Sequence, residues 1–203
     1  MKYLAFDTSA SRLTVAVGGN KNILKSVDEC FHSHSVILMQ EIEQSLQSAM
    51  TDLSEIDVFA CSVGPGSFTG IRIGVSTAKA FAYALSKKVL GVTSFESLAY
   101  NIVDKTKKLT IIDARHDNFY VCGFDENNVV ILEPCFKTKQ EIIDLYGEFL
   151  IVSDVEIEGV NCIVGNMAEG FVKAVEAKIS SASYNRESVV PLYVKKSQAE
   201  EEL

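Results

Sequence analysis

Three short apolar runs open the chain, Tyr3–Phe6, Leu13–Val17 and Ile23–Val27, separated by the turn formers Asp7-Thr8-Ser9 and Gly18-Gly19-Asn20. Runs of this length between such residues read as strands. The period then changes: Met39, Ile42, Leu46 and Ala49 recur at helical spacing, predicting a helix from Ser35 to Met50 with Ser35 placed to cap it. Ile56–Val63 reads as a buried strand, Thr69–Ser86 as a long helix, Val89–Val92 as a strand and Ser94–Val103 as a helix.

A charged stretch, Asp104-Lys105-Thr106-Lys107-Lys108, divides this half from a second that begins in the same way. Leu109–Asp113, Asn118–Phe124 and Val129–Phe136 predict strands, Lys139–Tyr146 a helix, Phe149–Ser153 and Val160–Val164 strands, and Asn166–Ile179 a closing helix, with Ser197–Leu203 a polar tail. Leu4-Ala5-Phe6-Asp7 and Thr110-Ile111-Ile112-Asp113 echo one another: an apolar strand, an Asp at its end, then a returning strand. The expectation is a duplicated α/β chain, two β-β-β-α-β-α units with mixed sheets at 1–104 and 105–203, the second abbreviated.

With 203 residues the chain needs no staple to build a core, and 47% hydrophobic against 23% charged residues excludes wholesale disorder. Nineteen basic and 27 acidic residues give −8, which argues against a chain that grips nucleic acid unaided. Four of the five cysteines lie in apolar runs and read as buried thiols. No apolar run approaches the roughly 18 residues of a membrane span, and an acidic residue arrives too early for a signal peptide, so the expected location is cytoplasmic.

The strongest motif is Gly64-Pro65-Gly66-Ser67-Phe68-Thr69-Gly70-Ile71-Arg72-Ile73-Gly74, between a buried strand and a helix. Ser67 or Thr69 is placed to cap that helix, whose N–H groups form an anion site. It is neither a Walker A loop nor a dinucleotide fingerprint, since no Gly-Lys pair follows Gly64 and the third glycine position is Thr69. Asp7, Thr8, Ser9, Gly64, Gly66, Ser67 and Thr69 are the candidate nucleotide or anion site, with a plain capped turn as the structural alternative. The helix itself is apolar nearly all round, so it is buried on more than one side. Gly70, Gly74 and Ala78 form a small-residue groove, and with Phe81 and with Val36, Met39 and Glu43 of the earlier helix they are the candidate partner interface. His32 and His34 point apart at i, i+2, and no third ligand is suitably spaced, so no metal site is expected.

Leu4–Ser9, His34-Ser35, Gly64–Gly74, Thr93–Ala99, Ile112–Arg115 and Pro191–Val194 occur in the order seen in the TsaB (YeaZ) family, and the chain resembles that family over nearly its whole length. The resemblance implies the actin-like (ASKHA) duplicated fold. It also implies a non-catalytic part in forming N6-threonylcarbamoyladenosine in tRNA, as partner of the transferase TsaD. Further implied are pairing through the N-terminal helices, a homodimer in isolation, a TsaE-type ATPase in the complex and tRNA bound only through the complex. No cofactor of its own is implied, with any ATP or ADP held at the complex interface. The transferase's His-x-x-x-His is missing, and Gly165-Asn166 stands where an active member would grip adenosine with Gly-Gly. A stand-alone actin-like ATPase using Asp7, Thr8 and the Gly64–Gly70 loop is the alternative, with a homodimeric binding module unrelated to tRNA a third reading.

Overall fold

The computed structural model describes residues 1–19, 22–28, 34–144, 147 and 149–195. Strands β1 (Tyr3–Asp7), β2 (Arg12–Gly18) and β3 (Ile23–Asp28) form an antiparallel meander. Helix α1 (His34–Ala49) leads to β4 (Val58–Gly64), α2 (Phe68–Ala84) to β5 (Lys88–Thr93), and α3 (Ser94–Ala99) follows. With β4 parallel to β1 and β5 parallel to β4, the sheet order is β3-β2-β1-β4-β5. Every residue of β1 and β4 is buried, as a near-continuous apolar run demands of a strand covered on both faces.

The second sheet comprises β6 (Lys108–Asp113), β7 (Asn118–Phe124), β8 (Val130–Thr138), β9 (Leu150–Ser153) and β10 (Ile163–Val164), with helices α4 (Lys139–Asp144) and α5 (Met167–Lys178). Read from one edge it runs β8-β7-β6-β9-β10, which repeats the order of the first. The echo between the halves is therefore a repeat of topology. The second unit is shorter because residues 154–162, the counterpart of α2, carry no helix.

The helix expected to reach Val103 ends at Ala99, because Asn101 turns away to bind Asn166. The strand expected from Val160 shrinks to two residues on the sheet edge, where only β9 is available to pair. Tyr146, Cys30, His32 and the tail from Ser197 lie outside the described residues. Of the other cysteines, all free thiols, Cys61 and Cys122 are buried as expected, but Cys135 and Cys162 are half-buried.

Strands of the two sheets divide at the charged stretch, but helices do not. α5 turns Phe171, Ala174 and Val175 onto the first sheet, against Tyr3, Ala60 and Leu90. α3 turns Phe95, Leu98 and Ala99 onto the second, against Ile112, Phe124 and Val152. Each unit's last helix thus covers the other's sheet, and the two helices pack together through Gly170, where a Cβ would stand 1.9 Å from the Ser97 carbonyl oxygen. Lys178 of α5 ties the pair by bonding Glu96 of α3 at 2.6 Å.

After α5 the chain returns as an irregular strap, 182–194, over the first unit. Ser183 bridges Val89, Val189 enters the core and Leu192 N–H donates to the Val63 carbonyl at 2.8 Å. This strap, rather than a partner, covers part of the second side of α2. No described helix is long and apolar enough to cross a membrane.

Candidate functional site

The parallel strands of both sheets end at one cleft of about 940 Å³, the place where open α/β sheets take ligands. One wall is the Asp7–Ser9 turn with the glycine loop folded onto it. Asp7 Oδ1 accepts from the Ser9 N–H at 2.7 Å and the Ser9 hydroxyl at 2.6 Å. Ser9 Oγ lies 2.9 Å from Ser62 Oγ, and Ser94 donates to the Pro65 carbonyl at 2.8 Å. Thr8 donates to the Gly70 carbonyl at 2.6 Å, and Ser67 N–H to the Ser9 carbonyl at 2.8 Å. Ser67 caps α2, accepting from Gly70 N–H at 3.2 Å. Gly64 holds φ at +94°, a conformation that only glycine adopts freely. Below this wall, burial and the Asp7 charge push the Cys61 thiol up to about 12, so it is no nucleophile.

The opposite wall repeats the device. Asp113 Oδ1 accepts from Arg115 N–H at 2.8 Å, as Asp7 does from Ser9, and Asp113 N–H donates to Asp154 at the end of β9, at 2.9 Å. Burial, and then the neighbouring charge of Asp113, push the Asp154 carboxyl up to about 6 against the pull of backbone N–H donors. Arg115, Glu169 and Arg12 complete a polar lining. Asn166 caps α5, accepting from Glu169 N–H at 3.3 Å, while its backbone is held at both ends by the Asn101 amide. Among the described residues no three His, Cys, Asp or Glu side chains converge as a metal would require.

Of the residues expected to hold an anion or nucleotide, Ser9, Gly66 and Ser67 reach the cleft wall. Asp7 and Thr8 are buried behind it, Asp7 accepting from Ser9 and Thr8 donating to the Gly70 carbonyl, Gly64 lies within the turn, and Thr69 sits exposed outside the lining. That arrangement does not favour a stand-alone ATPase built on Asp7 and Thr8.

The groove expected to receive a partner is occupied by the chain itself. A Cβ at Gly70 would stand 1.9 Å from the Thr8 carbonyl oxygen, and one at Gly74 2.6 Å from the Thr8 hydroxyl. Ala78 is fully buried, and Phe81 stacks on Phe59 at 5.3 Å. Small residues are needed there because α2 lies against its own β1 turn. Of the expected interface, the α1 residues Val36 (67% exposed), Met39 (53%) and Glu43 stand in solvent, and α2 exposes Phe68, Arg72 and Tyr83, which were not in that set.

Two features were not read from the sequence. Asp154 carries the same signal as Asp7 and Asp113, an acid closing an apolar strand, but stands alone without a turn former after it. Phe68 stacks on Tyr193 at 4.9 Å, and Arg72 lies 3.8 Å from the Phe68 ring centre while its Nε donates to the Tyr193 hydroxyl at 3.0 Å. Its two halves lie more than a hundred residues apart, and no periodicity links them.

The family model of TsaD, tRNA N6-adenosine threonylcarbamoyltransferase, matches residues 28–159. The chain is 30% identical to the Escherichia coli (strain K12) tRNA threonylcarbamoyladenosine biosynthesis protein TsaB, over 64% of this chain and 58% of that protein. The chain belongs to the TsaD family. It spans about six-tenths of the length of that first TsaB relative. A tRNA N6-adenosine threonylcarbamoyltransferase of Thermodesulfovibrio yellowstonii is 34% identical over 47% of this chain and 34% of its own length. YeaZ from Pseudomonas aeruginosa has the same fold, with a TM-score of 0.75 at 20% identity over 95% of this chain and 99% of that one. The duplicated mixed sheets facing one cleft are the actin-like arrangement. The TsaD-family match takes in α1, the glycine loop, α2, Asp113 and Asp154.

Proposed function

We propose that the chain is a non-catalytic subunit required for N6-threonylcarbamoyladenosine formation in tRNA, pairing with and activating a TsaD-type transferase. The observation that carries this reading is the contrast between the two sides of the first unit. On the cleft side, Asp7 accepts from Ser9 and Thr8 donates to the Gly70 carbonyl, both within the protein. On the outer side, α1 leaves Val36 and Met39 in solvent one turn apart beside Glu43. Contiguous exposed apolar residues with a polar rim mark protein interaction sites. The names borne by the E. coli and T. yellowstonii relatives support both the pathway and the presence of a transferase with a shared framework. The three histidines, none four apart, support a chain without the transferase's metal pair. A homodimer in isolation, a TsaE-type ATPase, and tRNA with any ATP or ADP engaged through the complex belong to the same reading.

Co-expression with a TsaD-type transferase tests it. The two chains are expected to co-elute on size exclusion and, with threonylcarbamoyl-adenylate, to modify tRNA that neither modifies efficiently alone. Met39→Asp, on an exposed position, should leave the melting temperature unchanged and weaken association by at least about tenfold, since a charge would be desolvated in the interface. Sustained modification by this chain alone, or full association of the variant, would refute the reading.

A further inference from the structure

In a chain with eight more acids than bases, 79–88, with Lys79, Lys87 and Lys88, lies within an acid-free run from 58 to 95, and 178–186, with Lys178 and Arg186, is also free of acids. The strap joins them, because Val89 and Ser183 exchange both backbone hydrogen bonds, at 2.8 and 3.0 Å. Lys178 is engaged by Glu96, but Arg186 and Lys88 each lie near a tyrosine ring. The Arg186 guanidinium lies 5.1 Å from the Tyr83 ring centre and Lys88 Nζ 5.6 Å from that of Tyr184, with the rings 73% and 63% exposed. The Ala82 carbonyl accepts from both Lys87 N–H (3.0 Å) and Arg186 Nη2 (3.3 Å), which fixes these bases at one end of α2. Two acids border the patch: Asp57, 4.0 Å from Lys87 and already accepting from Lys2 N–H, and the exposed Glu187.

Bases at a helix C-terminus are favourable for the helix itself. That role accounts for Arg186 and Lys87, but not for two tyrosines standing in water, each with one cation near its ring. Aromatic faces interleaved with bases are how proteins hold single-stranded nucleic acid, bases stacking on rings while phosphates meet the cations. We propose that this patch is the chain's contact for single-stranded RNA, with unpaired bases stacked on Tyr83 and Tyr184 and phosphates on Lys87, Lys88 and Arg186. It lies at the far end of β5 from the cleft, roughly 20 Å away at ~3.3 Å per residue. The choice of RNA rests on the tRNA reading above. A weak contact of this kind fits a −8 chain that meets tRNA as part of a larger assembly.

Fluorescence anisotropy of a labelled, unstructured RNA of about twelve nucleotides tests the patch without any modification assay. Three phosphate contacts at about 0.7 counterion each predict a roughly 20-fold loss of affinity between 50 and 200 mM salt. The Tyr83→Ala/Tyr184→Ala pair should weaken binding at 50 mM salt by about tenfold or more with its salt slope unchanged, and the Tyr83→Phe/Tyr184→Phe pair should restore it. Lys87→Gln with Lys88→Gln should flatten the slope by about 1.4. Melting temperatures are read beside each titration, and the lysine pair decides the matter if the alanine pair fails to fold. No binding at 50 mM salt, unchanged binding in the folded variants, or equal preference for duplex RNA would overturn the assignment. Met39→Asp should bind this RNA like the parent chain, so failure of the pairing reading and failure of the patch are separately visible.

Discussion

At Gly70 the backbone of α2 comes so close to Thr8 that a methyl group has no room. Gly70→Ala should therefore cost on the order of 3 kcal/mol in urea denaturation, at the upper end of overpacking penalties, and Gly74→Leu should lose stability for the same cause rather than by blocking a partner. Asp154 makes an opposite case, in which removing a charge helps. Its folded carboxyl titrates near 6, above the ordinary value of about 3.9. The folded state holds the proton more tightly, so this group's contribution is fully present below about pH 4 and is lost as pH rises through about 6. Asp154→Asn should flatten that fall and leave the protein on the order of 2 kcal/mol more stable at pH 7.5, with little difference at pH 3.5, as followed by thermal melts across pH. The Asp7 and Asp113 turns were legible because an acid after an apolar strand announces one. Which way each faces was not, since that depends on what packs behind it.

Among the elements, α2 shows where periodicity stops informing. Its all-round apolar surface predicts burial on more than one side. The buried residues, Gly70, Ile71, Gly74, Val75, Ala78 and Ala82, instead follow one face, Ala80 and Ala84 stand exposed, and the second side is covered only in part. The cover is the strap 182–194, whose short polar stretches carry no period, so its docking on Val63 and Val89 has no local signal. The same limit applies to α3 and α5. Both helices are legible as elements in the sequence, and Thr93 and Asn166 cap them in the structure, but their exchange between sheets follows from the other unit's surface. Lys178 is the side chain that fastens that exchange, bonding Glu96 and the Gly91 carbonyl. Lys178→Met should cost roughly 1–2 kcal/mol, the range for a charge-assisted bond at a partly exposed site, read as a lower urea midpoint with an unchanged slope.

For the whole molecule, exchange of last helices means that neither half is complete alone. The two sheets should therefore unfold in a single cooperative transition, with tyrosine fluorescence and far-ultraviolet circular dichroism tracing coincident curves. Two separable transitions would show that the α3–α5 contact is weaker than its packing indicates. Expressed separately, 1–104 and 105–203 should each be poorly soluble and recover only when produced together.

Synthesis runs from one end of the chain, and the exchange puts a delay into it. The face of the first sheet formed by Tyr3, Ala60 and Leu90 has left the ribosome long before Phe171, Ala174 and Val175, which cover it, are made. At about 5–20 residues per second, the roughly 85 residues from the end of β5 to the end of α5 take several seconds. Throughout that interval the nascent chain presents an apolar sheet face to whatever is nearby. A stall late in translation would release a product with most of its strands and none of its closure, so the last quarter of the message determines whether the first half stays soluble.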